Sequence, residues 1–70
     1  MLDGYIIVSL NPDNTVNQYW DGTIFQDEID AADFITTVDA ARFAQGSIQA
    51  QNVNFDVVYR KAKQNIELAP

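Results

Sequence analysis

The chain has no cysteine and no histidine among its 70 residues, only three glycines, and four basic side chains against ten acidic ones. Each shortage excludes something. Without Cys there is no disulfide, and without Cys or His there is no zinc site of the usual kind. A chain this short buries only roughly 60% of the surface it exposes when unfolded, and small domains often add such staples. Stability here must therefore come from packing of Tyr, Trp, Phe, Ile and Val, alone or helped by self-association. A Cys nucleophile and a His base are both ruled out. Gly4, Gly22 and Gly46 stand too far apart for a phosphate-cradling loop or a dinucleotide fingerprint. No apolar run approaches a membrane span. Met1-Leu2-Asp3-Gly4 has no basic stretch ahead of an apolar run, so no signal peptide is expected. The lack of Cys suits a reducing compartment, and cytoplasmic residence is the expectation.

The shortage of bases is uneven along the chain. The first forty-one residues hold eight acids and no base; Arg42, Arg60, Lys61 and Lys63 all come later, for a net charge of −6. Binding to phosphates needs clustered Lys and Arg, so no direct nucleic-acid contact is expected; with no segment of spanning length, no membrane partner is expected either. The acids fit either attraction to a basic protein surface or simple solubility.

What is present is a strand-rich pattern. Tyr5–Leu10 reads as a strand with Ile6, Val8 and Leu10 on one face and Tyr5, Ile7 and Ser9 on the other. Asn11-Pro12-Asp13-Asn14 is turn chemistry. Thr15–Trp20 is a second strand, and Asp21-Gly22 predicts a two-residue type I′ hairpin returning through Thr23–Gln26. Asp27–Ala32 reads as a helical turn with Ile29 and Ala32 inward, and Asp33–Ile35 as a short extended piece. Thr36-Thr37 offers an N-cap, with Asp39 suited to the first turn. The main helix is expected over Thr37–Ala50, with Ala40, Phe43, Ala44, Ser47 and Ile48 as its buried stripe, unless Gly46 ends it early. Phe55–Lys61 alternates cleanly as a last strand. Residues 62–70 read as a helical turn or a frayed tail. The fold expected is one small α+β domain over residues 1–70: an antiparallel sheet in the order β-β-β-α-β with one main helix packed on one face.

Candidate chemistry is sparse. Ser9 and Ser47 lack a Gly-x-Ser-x-Gly elbow. Asp27, Glu28, Asp30 and Asp33 are the candidates for paired-carboxylate catalysis, but a domain this small has little wall for a substrate pocket. The spacing of a calcium-binding EF-hand is absent. No catalytic residue, structural metal or cofactor is expected, and an enzyme or ligand-binding domain is the least supported class.

A protein partner is better supported. Asp27, Glu28, Asp30, Asp33 and Asp39 form the densest acidic set, able to imitate the spaced phosphates of nucleic acid before a basic channel. Tyr19 and Trp20 are adjacent on a strand and so point to opposite faces. One of them is expected on the face away from the helix, with Tyr5 and Ile7. Either they are interface anchors, as Trp and Tyr often are, or Trp20 caps the core beside the Asp-Gly turn. An exposed sheet edge also invites pairing with a second copy, so a homodimeric structural or regulatory module is the competing use.

Tyr5-Ile6-Ile7-Val8, then Tyr19-Trp20-Asp21-Gly22, then Asp30-Ala31-Ala32-Asp33-Phe34-Ile35-Thr36-Thr37-Val38-Asp39-Ala40-Ala41 resembles a pattern in small proteins of phages and mobile elements. The resemblance covers roughly residues 5 to 45, and its motifs are structural rather than chemical. It departs in having so few bases. It implies a non-enzymatic inhibitor or modulator, such as an anti-CRISPR protein or a host-takeover factor, that covers a surface of a host nucleic-acid enzyme or defence complex in the host cytoplasm.

Overall fold

The computed structural model describes residues 3–64 and 67–68. Its elements are β1 (Asp3–Leu10), β2 (Val16–Trp20), β3 (Phe25–Gln26), a 3-10 turn at Ile29–Ala31, α1 (Val38–Gln51), β4 (Asp56–Lys63) and β5 (Glu67–Leu68). The strands form one antiparallel sheet in the order β3-β2-β1-β4-β5. This is the small α+β fold expected, with the first three strands as a meander and the helix crossing back to β4.

β1 is the central strand and pairs with β4 along its whole length, from Asp3↔Lys63 to Leu10↔Asp56. Its second half pairs with β2, where a bulge falls between Ser9 and Leu10. Beside this irregularity the buried Ser9 hydroxyl accepts from the Gln18 N–H at 3.1 Å. The first half of β1 is flanked instead by Ile35, whose N–H and C=O exchange bonds with Tyr5 at 2.8 and 2.7 Å. Close approach here needs Gly4: a Cβ on it would lie 2.5 Å from both the Ile35 carbonyl oxygen and the Phe34 ring.

Both faces of β1 are buried. On one, Ile6, Val8 and Leu10 pack with Ala32 and Ala62, bordered by Val16, Tyr19, Ile29, Phe34 and Val58. On the other, Ile7, Ile48 and Val57 pack with Trp20, Phe25, Ile35, Ala44 and Tyr59. The helix therefore stands on the Tyr5/Ile7/Ser9 side, and the Ile6/Val8/Leu10 side is covered by the connection from β3 to α1. This corrects the expected open face carrying Tyr5 and Ile7. The near-continuous apolar run of β1 is the mark of a strand covered on both sides.

The hairpin also differs from expectation. Trp20 pairs with Phe25, which leaves a four-residue loop, Asp21–Ile24, and shortens the returning strand to Phe25–Gln26. Only Gly22 takes positive φ there, at 103°. The Asp21 carboxylate stabilises this loop by accepting from the Thr23 and Ile24 N–H groups at 2.7 and 2.8 Å. The turn before β2 works similarly: Asp13 accepts from the Thr15 N–H at 3.0 Å, and Asn14 takes φ of 70°.

Thr37 is the N-cap, its hydroxyl accepting from the Ala40 N–H at 3.3 Å, and α1 runs past Gly46 to Gln51. The expected stripe is rotated. Ala41 and Ile48 are buried and Gln45 and Gln49 half-buried, whereas Ala40 and Ser47 are exposed and Phe43 is 78% exposed. The cause is hydrogen bonding at the outer edge of β4. Gln45 donates to the Val57 carbonyl at 2.7 Å; Gln49 accepts from the Val57 N–H at 2.8 Å and donates to the Phe55 carbonyl at 2.9 Å. Buried backbone groups need such partners, and glutamine supplies both donor and acceptor. At the C-terminal end, Ala62 and Lys63 continue β4 and pair with Leu68 and Glu67, in place of the expected helical turn or frayed tail. Residues 65, 66, 69 and 70 of that tail lie outside the described residues.

Candidate functional site

The 27–35 connection carries most of the acidic set. Its apolar residues turn inward: Ile29 and Phe34 border the core and Ala32 is buried within it. Asp27, Glu28, Asp30 and Asp33 are all exposed. Two of them are positioned against β2 and its loop. Asp27 accepts from the Gln18 side-chain amide at 2.8 Å. The Asp33 N–H donates to the Trp20 carbonyl at 2.8 Å, and the Asp33 carboxylate lies against Gly22. Asp39 stands apart in the first turn of α1, on the side of the sheet opposite Ile29 and Phe34. It neighbours Arg42, whose pKa is raised, first by Tyr59 and to a smaller extent by the negative charge of Asp39. The structure thus brings four of the five acids onto one segment and leaves the fifth beside a base. Among the described residues no three acids converge to hold a metal ion.

Tyr19 and Trp20 do point to opposite faces. Tyr19 packs at the border of the Ile6/Val8 cluster, and Trp20 at that of the Ile7/Val57 cluster. Both are half-buried. Trp20 meets Phe25 edge to face at 5.0 Å between ring centroids, and Phe25 meets Phe55 in the same manner at 5.7 Å. This aromatic line ends at the loop between α1 and β4.

That end of the molecule holds what the sequence reading missed. Ile24 is 56% exposed, Val53 81% and Phe55 37%. A shallow hollow of about 260 Å³ is lined by Trp20, Thr23, Ile24, Phe25, Gln51 and Asn52. A second, of about 220 Å³, lies beyond the loop against Phe55, Asn54, Asp56, Pro12, Asn11 and Leu10. Val53 sits on the loop between Asn52 and Asn54, which line one hollow each. The loop backbone is held by Gln49, which donates to the Asn52 carbonyl at 2.8 Å, and by Asn52, whose side chain donates to the Ile48 carbonyl at 2.8 Å. The sequence signal was Val53, an apolar residue between two asparagines outside any expected element; Ile24 gave none, since it fell within the expected returning strand Thr23–Gln26.

No described helix is long and apolar enough to cross a membrane. Comparison with known proteins finds no matching family model, no matching curated protein and no matching solved structure.

Proposed function

We propose that the protein is a non-enzymatic binding module that works by covering a positively charged surface of a protein partner. The supporting observation is the 27–35 connection: four carboxylates face solvent on a segment whose apolar side chains are anchored in the core, with no base among them. Such a row is held in place without spending the charges on internal ion pairs, and it attracts a basic surface over long range. The finer reading is an inhibitor encoded by a phage or mobile element, anti-CRISPR-like, whose acids occupy a basic nucleic-acid channel of a host enzyme or defence complex in the host cytoplasm. The loose likeness over residues 5–45 and the phosphate-like row of acids support it. A homodimer through a sheet edge has less to work with. β3 and β5 are two residues long each, and the edge of β4 at Val57 is taken by Gln45 and Gln49.

Capture from bacterial lysate, with the retained proteins identified and assayed, tests this. The expected result is a nucleic-acid-handling protein that is retained by the wild type, inhibited by equimolar addition, and lost when Asp27, Glu28 and Asp30 are replaced by Lys. Undiminished retention by that variant removes the charge reading. Chemical turnover of a captured molecule removes the non-enzymatic one.

A further inference from the structure

Three of the five large apolar side chains that stand exposed among the described residues, Ile24, Val53 and Phe55, gather at one end of the molecule, around the two hollows. Phe43 and Leu68 lie elsewhere, on α1 and β5. A chain of edge-to-face rings links the two hollows: Trp20 and Phe25 line one and Phe55 the other. Soluble chains seldom group exposed apolar side chains without a use for them.

The one charged side chain among those lining the two hollows is an acid, Asp56. Asp21 begins the loop that carries Ile24, and the Asp33 carboxylate lies against Gly22 in that same loop. The C-terminal end of α1 adds a partial negative charge, and its last turn has no Lys or Arg to offset it. None of the chain's four bases lines either hollow. Rings with an electron-rich face, beside carboxylates and helix carbonyls, suit a guanidinium carried on an apolar stem.

We propose that this end is the anchoring site for the partner, and that it takes a partner segment in which arginine alternates with aliphatic side chains. The inference rests on the reading of the protein as a binding module for basic surfaces, and it separates two roles. The acidic connection draws the partner in; the apolar end holds it.

The probe is a short peptide of alternating Arg and Leu, with Arg–Ser and Glu–Leu peptides of the same length as controls, added to the isotopically labelled full chain and followed by amide and indole NMR shifts. The expected shifts fall on the Trp20 indole, Thr23–Phe25 and Gln51–Phe55. Arg–Leu binds more tightly than Arg–Ser, and Glu–Leu does not bind. Replacing Ile24 and Val53 together by Ser weakens Arg–Leu binding by about tenfold, the effect of losing one modest anchor. Phe43→Ser, a change at an exposed apolar side chain on α1 away from the hollows, leaves it unaltered. Shifts confined to residues 27–33, or an Ile24→Ser/Val53→Ser variant that binds like wild type, overturn the anchor and leave the acidic-surface reading standing. Equal binding of Glu–Leu overturns the assigned charge of the occupant. Failure of both basic peptides to bind overturns the anchor and the charge reading together.

Discussion

The acidic connection and the apolar end are built in opposite senses. In the connection, the apolar side chains Ile29, Ala32 and Phe34 go inward and the carboxylates go to water. At the apolar end, the polar side chains Gln49, Asn52 and Asp21 are engaged with backbone, while Ile24, Val53 and Phe55 meet solvent. The first arrangement is what water alone favours. The second keeps apolar surface wet, at roughly 25 cal/mol per Å² relative to covering it. A solvated acidic face can attract a basic surface at long range but buries little against it, whereas grouped apolar side chains are what the proposed anchor rests on. On the proposed reading, the anchoring role passes from the pair Tyr19 and Trp20 that the sequence offered to the apolar end, which keeps Trp20 and adds Ile24, Val53 and Phe55.

The contrast can be broken by substitution. The largest effect is expected where the connection is anchored: Phe34→Ala should destabilise the domain by about 2–4 kcal/mol in urea unfolding, somewhat less than for a fully buried ring because Phe34 is half-buried. Gly4→Ala reaches the same contact from the other side. By forcing a Cβ against the Ile35 carbonyl and the Phe34 ring, it should cost about 1–3 kcal/mol. Unchanged stability in both would mean that the connection does not hold its acids in place.

At the other end, Gln49→Ala removes the partner of the buried Val57 N–H and both loop contacts, and should cost about 1–3 kcal/mol. Amide exchange should speed up at Val57 ahead of the rest of β4. The Asp21 loop adds a pH dependence. Asp21 has its pKa lowered from the ordinary 3.8, first by the Ile24 N–H and then by the Gln26 side chain and the Thr23 N–H. A carboxylate lowered on folding contributes stability fully above its unfolded value and loses it as pH falls through the folded one. Unfolding midpoints followed from neutral to below pH 3.8 should therefore fall less steeply for Asp21→Asn than for the wild type. The smallest effect on stability belongs to Ile24→Ser with Val53→Ser, within about 0.5 kcal/mol at each exposed site. A larger loss would show that these side chains are core rather than surface.

Local rules made much of the fold legible. The turn at 11–14, the Thr37 cap, the inward Ile29 and Ala32, and the order of strands around the helix follow from turn chemistry, capping and period-two patterning. The failures were tertiary. Strand β1 is apolar on both faces, and no local pattern says which face a helix will choose. Phe43 looked like the centre of a buried stripe, yet two glutamines were needed at the edge of β4 and turned the helix to meet it. Asp21-Gly22 has the composition of a two-residue turn, but Asp21 also accepts from the Thr23 and Ile24 N–H groups and so closes a longer loop. The acidic row was readable because exposed charge follows composition. The apolar end was not, because Ile24, Val53 and the Trp20–Phe25–Phe55 line come together only through the hairpin and the return of the chain after α1.

The central claim is that charge brings a partner in and the apolar end retains it. Binding kinetics of the Arg–Leu peptide test it most directly, with wild type, the Asp27/Glu28/Asp30-to-Lys variant and the Ile24→Ser/Val53→Ser variant on one sensor surface. The account predicts slower association with little change in dissociation for the lysine variant, and faster dissociation with little change in association for the serine variant. Dissociation that is unaltered by the serine substitutions but accelerated by the lysines would contradict it.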